Sequence, residues 1–245
     1  MSLTPLEQSK WAIEAVGLAK SFGPVTALRD ITLHIAQQQC IAVVGQNGAG
    51  KSTLIRILST LIRPSSGHAR VAGYDVQQQA SDVRRSVGFA AHQPMLYADL
   101  SAAENLRFYG RMYAVPALEE RIQELVARVE LTARRDDPVR TLSRGMQQRL
   151  TIIRSLLHNP PILLFDEPYT GLDHRAAGIL NDLLQQLLAE GHTLLLTTHD
   201  LHWASQVADE MLILWRGRVV HQASVAGAAP QDLQDMYQRY AGGPQ

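Results

Sequence analysis

Cysteine is almost absent. Cys40 stands alone in 245 residues, which excludes a disulfide within the chain and suits a reducing compartment. Aromatic residues make up only 6%, and no apolar run approaches the roughly 18 residues needed to span a bilayer. A chain of this kind is not expected to cross a membrane unaided. Neither sign of charge is in excess. The 23 basic side chains balance 23 acidic ones, which argues against a general binder of nucleic acid or anionic membrane. The opening segment MSLTPLEQSKWAIEAV lacks the basic and then apolar regions of a secretory signal. Internal repeats, low-complexity tracts and long like-charge blocks are missing, so solenoids and disordered tails are poor readings. None of the nine histidines has an H-E-x-x-H or Cys/His zinc spacing.

What is present reads as an α/β protein, long enough to build a core without staples. Short apolar runs at Ile41 to Val44, Ile162 to Phe165, Leu194 to Leu196 and Met211 to Leu214 suit strands buried on both faces, as in a parallel sheet. Between them lie helical patterns. Residues 175–190 put Ala176, Leu180, Leu183, Leu184 and Leu187 on one stripe, with Gly191 following as a C-cap. The first 35 residues differ: Ile31, Leu33 and Ile35 alternate, and Gly-Pro and Arg-Asp pairs suggest turns between antiparallel strands. Residues 95–158 show no strand. Ser101 and Glu104 form a capping-box pattern there, and Pro116 opens a second helical pattern running through Leu125 and Val129. The stretch is too long for one crossover and reads as an inserted helical subdomain. Residues 11–225 form the expected domain, and 226–245 a short amphipathic helix and tail.

The most specific pattern follows the strand CIAVV. Gly45-Gln46-Asn47-Gly48-Ala49-Gly50-Lys51-Ser52-Thr53 matches G-x-x-x-x-G-K-[ST], with a helical pattern after it. Phosphate oxygens need several N–H donors at close range. Gly45, Gly48 and Gly50 let the backbone turn inward, and the helix that follows adds its unpaired N–H groups. Lys51 brings positive charge to the β- and γ-phosphates, and the Ser52 hydroxyl can ligate Mg²⁺. Downstream, the apolar run ending at Phe165 delivers Asp166 and Glu167, a Walker B pattern in which Asp166 holds Mg²⁺ and Glu167 polarises a water. Pro168 stops the strand there.

A phosphate loop alone leaves kinases, GTPases and transport ATPases open. The segment Leu142-Ser143-Arg144-Gly145-Met146-Gln147-Gln148-Arg149 resembles the LSGGQ signature of ATP-binding cassette, or ABC, ATPases. The resemblance runs from about Ala15 to Val220 and keeps the family's motif order. Gln93 resembles the Q-loop glutamine, Gly171-Leu172-Asp173 the D-loop, His199 the switch histidine, and Phe22 the aromatic that stacks on adenine. Arg144 stands where many members have glycine and Met146 where many have glutamine, while Ser143 and Gly145 remain.

The resemblance implies a P-loop NTPase core and ATP with Mg²⁺ as ligands. It also implies a head-to-tail pair of ATPase subunits, each ATP lying between one phosphate loop and the partner subunit's signature segment. In that picture Ser143, Gly145 and Asp173 serve the opposite nucleotide. Glu167 and His199 act with Lys51 in catalysis, and Ser52, Asp166 and Gln93 face the metal. Separate integral-membrane permease subunits are implied as well, placing the chain at the cytoplasmic face of the cell membrane, with no nucleic-acid partner. Within the family, PMLYADLSAAENLRFYGRMYAV and DEPYTGLD look like the ABC-2 exporter group, especially the haem-exporter ATPase of cytochrome c maturation, with drug or polysaccharide export subunits close behind. An importer ATPase is the alternative, although many importer subunits carry a longer C-terminal extension. A soluble ABC protein is a third reading, disfavoured by the single phosphate loop and the lack of basic excess.

Overall fold

The structure, a computed structural model, describes residues 5–225 and 227–241. The expected C-terminal segment therefore lies partly outside the described residues, at 226 and 242–245, as do the first four residues of the N-terminal segment. The strands are β1 (Ile13–Phe22), β2 (Val25–Ile35), β3 (Cys40–Val44), β4 (Ser66–Val71), β5 (Tyr74–Asp75), β6 (Val87–Ala90), β7 (Ile162–Asp166), β8 (Thr193–Thr198), β9 (Glu210–Trp215) and β10 (Arg218–Ser224). The helices are α1 (Pro5–Gln8), α2 (Lys51–Leu58), α3 (Ala80–Ser86), α4 (Ala102–Met112), α5 (Leu118–Arg128), α6 (Arg144–Ser155), α7 (His174–Ala189), α8 (Leu201–Val207) and α9 (Pro230–Ala241).

Two sheets carry the fold. One is antiparallel, in the order β2-β1-β4-β5; the other runs β10-β9-β3-β8-β7-β6 and is parallel except where β9 meets β10. The apolar runs of the parallel strands divide by their alternation. Cys40, Ala42 and Val44 of β3 face one core with Leu163 and Phe165 of β7, while Ile41, Val43, Ile162 and Leu164 face the other. This is why those runs are apolar at every position. The second core lies between the two sheets and takes Leu54, Ile55, Ile57 and Leu58 of α2. The first is covered by α4 to α9. Each fully buried large side chain, Phe165 among them, contributes about 1.5–3 kcal/mol.

Local signals set several boundaries. The Ser101 Oγ accepts from the Glu104 N–H at 3.2 Å while the Glu104 Oε2 accepts from the Ser101 N–H at 2.7 Å, the expected capping box opening α4. The stripe at 175–190 forms α7, capped by Asp173 and followed by Gly191 at φ +94°. Two local expectations shift. Pro116 does not open α5: Ala117 takes a left-handed φ of 48° and the helix begins at Leu118, ending at Arg128 before Val129. Arg29-Asp30 is not a turn but an irregularity inside β2, where Asp30 has φ 56° and the register against β1 shifts. Between β6 and β7 the described chain runs through α4, α5 and α6, with no strand beyond an isolated bridge from Ser101 to Pro138. No helix among the described residues is long and apolar enough to cross a membrane.

Candidate nucleotide site

The phosphate loop joins the C-terminal end of β3 to α2, at the edge where β8 and β7 also end. Two of its glycines are forced by space. A Cβ on Gly45 would run into the Leu214 carbonyl, and one on Gly50, at φ +111°, would stand 2.6 Å from the Ala27 carbonyl oxygen. The loop lines a cavity of about 430 Å³ with Phe22, Gln46, Asn47, Gly48, Gly50, Lys51, Ser52, Thr53, His92 and Glu167 on its wall. Gly45 and the buried Ala49 support the loop from behind.

Lys51 is 5% exposed, and its ammonium reaches two oxygens. It donates to the Gly45 carbonyl at 2.7 Å and pairs with Glu167 Oε1 at 3.1 Å. The other Glu167 oxygen, Oε2, stands 2.8 Å from His199 Nδ1. Glu167 thus bridges the lysine that opens α2 and the histidine that follows β8. It does so from a left-handed backbone, φ 55°, held by its own N–H donating to the Thr197 carbonyl at 3.1 Å and to Thr197 Oγ1 at 3.0 Å. Such a conformation is costly for a residue with a Cβ and is found where surrounding contacts enforce it. Asp166, 2% exposed, accepts at Oδ1 from Ser52 Oγ at 2.9 Å and from Thr197 Oγ1 at 2.8 Å.

Of the other expected residues, Phe22 shares this cavity and the rest line two others. Gln93 is exposed on an adjoining cavity of about 360 Å³ that shares only His92 with the first. Phe22 ends β1, half exposed, with the Lys20 ammonium 4.9 Å from its ring centre. Ser143, Gly145 and Asp173 line a third cavity of about 510 Å³, between the N-terminal ends of α6 and α7, that shares no residue with the phosphate-loop cavity. Ser143 Oγ accepts from the Met146 N–H at 3.3 Å, capping α6, and Asp173 Oδ1 accepts from the Ala176 N–H at 2.8 Å, capping α7.

Comparison with known proteins agrees with this arrangement of elements. Residues 28–170 match the model of the ABC transporter family. The chain belongs to the ABC transporter ATPase family. It is 36% identical over 208 residues to Nod factor export ATP-binding protein I of Ralstonia nicotianae, which covers 84% of this chain and 65% of that protein. The chain therefore spans less than two thirds of that relative. ABC transporter ATP-binding protein NatA of Bacillus subtilis is 33% identical over 204 residues, 82% of this chain and 83% of NatA. Daunorubicin resistance ATP-binding protein DrrA3 of Streptomyces coeruleorubidus is 38% identical, covering 87% of this chain and 68% of DrrA3. A solved ATP-binding subunit of an ABC transporter superposes with TM-score 0.83 at 28% identity, over 93% of this chain and 99% of that one. A dimeric post-hydrolysis cassette bound to ADP and Pi gives 0.82 at 27% identity, over 88% and 99%.

Three residues of this ABC ATPase escape sequence reading. Thr197, fully buried, ties Asp166 and Glu167 together through one hydroxyl. Its signal is faint, a threonine ending an otherwise leucine-rich strand. Arg154 of α6 donates to the carbonyls of Phe89 at 3.0 Å and Met95 at 3.2 Å, joining the signature helix to the segment around Gln93. An arginine inside LTIIRSLL could have been noticed as a charge on an apolar face. Asn105, fully buried, exchanges hydrogen bonds with the Tyr97 backbone, its Oδ1 accepting at 2.8 Å and its Nδ2 donating at 3.0 Å. Tyr97 itself lies at the surface of this region, meeting Phe108 edge-on at 5.1 Å with 49% of its area exposed.

Proposed function

We propose that this chain is the ATP-hydrolysing subunit of an ABC exporter, and that two subunits close over two ATP molecules to drive separate membrane subunits. The observation that carries the reading is the junction of Lys51, Glu167 and His199 at the phosphate-loop cavity. It supports the reading because the residues taken as base, phosphate-binding cation and γ-phosphate contact share one hydrogen-bonded set. The signature residues belong to a different cavity of the same chain, so they serve a nucleotide held by a second subunit.

Hydrolysis needs a water whose oxygen attacks the γ-phosphorus as the bond to the bridging β–γ oxygen breaks, leaving ADP and phosphate. Glu167 orients that water and takes up its proton, while His199 donates toward the γ-phosphate. Lys51 leaves Glu167 for the β- and γ-phosphate oxygens when the triphosphate arrives, freeing the carboxylate for water. Phe22 offers a face for the adenine. The loop residues Gly45, Gln46, Asn47, Gly48, Ala49, Gly50, Ser52 and Thr53 surround the phosphates. Mg²⁺ suits the donors at hand. Ser52 Oγ and Asp166 Oδ1 are hard oxygens 2.9 Å apart, and this ion keeps phosphate and water ligands beside one or two from protein. Ser52 and Asp166 would hold it, with Gln93 closing in from its neighbouring cavity. When bound, the ion neutralises charge that develops on the β- and γ-oxygens.

Loss of the γ-phosphate removes the tie between subunits. Because Arg154 links the signature helix to the backbone near Gln93, nucleotide state can reorient α4 to α6 against the permease. Export is supported by relatives named for Nod factor export and daunorubicin resistance. Haem as cargo, for cytochrome c maturation, is the finer reading and rests on the sequence resemblance alone. The site lies at the cytoplasmic face of the membrane in this picture. Glu167→Gln tests it. The variant is expected to bind ATP, lose turnover by about 10²-fold or more and accumulate as an ATP-bound dimer in sedimentation. Normal phosphate release by it would remove Glu167 from the mechanism.

A further inference from the structure

We propose that Arg144 reaches the triphosphate held by the opposite subunit and supplies positive charge that closure of the pair requires. The inference rests on the shared-site reading above.

The charge balance of the two cavities points to it. On the wall of the phosphate-loop cavity the formal charges are Lys51 and Glu167, already paired with each other at 3.1 Å, and the Asp166 carboxylate stands behind Ser52 at 2.9 Å. A triphosphate entering there meets one lysine against these carboxylates, so the cavity wall offers it no net positive charge. The signature cavity is different. Its lining carries Arg144, Arg149 and Arg175 against Glu130 and Asp173. Arg175 Nη2 is bonded to Glu130 at 3.0 Å, and Asp173 is committed to the cap of α7. Arg149 is buried, its Nη1 donating to the Val129 carbonyl, and burial holds its pKa below the ordinary arginine value.

Arg144 is exposed, and among the described residues it has neither a hydrogen bond nor a carboxylate within 4 Å. It is thus the side chain of that cavity free to meet an anion. It also flanks Ser143, the residue the shared-site reading puts against the γ-phosphate. Gly145 on its other side leaves room, since a Cβ there would meet nothing nearer than 3.6 Å. A guanidinium matches phosphate oxygens in a planar, two-pronged geometry and stays charged at any working pH. Glycine at this position could offer only backbone.

The test uses the full chain carrying Glu167→Gln, so that ATP is not consumed, and reads dimer formation by sedimentation against ATP concentration. Arg144→Gly is expected to raise the ATP needed for half-dimerisation about tenfold. Arg144→Lys is expected to restore most of that loss. The salt dependence of dimerisation should flatten in the glycine variant, which a merely structural role would not produce. Ser143→Arg run in parallel separates the two readings. If Ser143→Arg prevents dimers while Arg144→Gly forms them at the wild-type ATP concentration with unchanged salt dependence, the role of Arg144 is overturned and the shared site stands. If both variants dimerise normally, the shared site fails and takes this proposal with it.

Discussion

Glu167 and Lys51 hold each other at the phosphate loop, and a triphosphate must compete with that contact to bind. Two unit charges 3.1 Å apart at an effective dielectric of about 20 attract by about 5 kcal/mol. The burial of both partners offsets most of this, because Lys51 is 6% and Glu167 12% exposed at the side chain. Glutamine at 167 keeps the shape and an oxygen toward the ammonium, and Lys51 keeps the Gly45 carbonyl. The net loss without nucleotide is then about 1–2 kcal/mol. Two consequences share that one free energy. The nucleotide-free Glu167→Gln protein should melt a few degrees below wild type, at roughly 2–4 °C per kcal/mol for a chain this size. Its subunits should bind ATP about five- to thirtyfold more tightly, because no carboxylate competes for Lys51. The binding is to be measured by calorimetry without Mg²⁺ and in a Ser143→Arg background, so that dimer formation does not contribute. Unchanged melting together with unchanged or weaker ATP affinity would refute the competition, leaving Lys51 indifferent to its partner.

Three further outcomes follow from particular contacts. Thr197→Val deletes the hydroxyl that bonds Asp166 and the Glu167 N–H, and should lower kcat more than tenfold with about 1–3 kcal/mol lost from stability in urea unfolding. Ser101→Ala removes the cap of α4 and should cost about 1 kcal/mol by the same measurement, with ATP binding retained. His158 stacks on Tyr113 at 4.0 Å, and burial lowers its pKa from 6.5 to about 4. The unfolded chain takes up that proton near pH 6.5 while the folded chain refuses it until about 4, so this contribution is whole above 6.5 and is lost as pH falls between the two values. With solvent screening it amounts to about 2 kcal/mol. His158→Phe keeps the stack and should flatten this limb of the stability profile; an unchanged slope between pH 6.5 and 4 would contradict the assignment.

Much of the site was readable because its chemistry is local. The turn from β3 into α2 needs glycines within one short segment, and the caps of α4 and α6 need a serine at a set distance from a backbone N–H. Neighbours along the chain decide those features, so Gly50, Ser101 and Ser143 announce themselves. The apolar runs at Ile41 and Ile162 were legible for a similar reason, since a strand covered on both faces favours apolar residues at successive positions. Pro116 misled because the left-handed turn at Ala117 depends on how α4 meets α5 rather than on proline's own preference.

The sequence alone determined that a phosphate loop, a signature segment and a carboxylate-bearing strand exist, in that order. Only the tertiary structure decided that Thr197 joins the Asp166 carboxylate to the Glu167 N–H, that Glu167 faces Lys51, and that the signature cavity shares no wall with the phosphate loop. The reason is the parallel sheet. Its strand order places β3, β8 and β7 side by side although long stretches of chain separate them. Hydrogen bonds between such strands carry side chains together without leaving any periodic mark on the residues that meet.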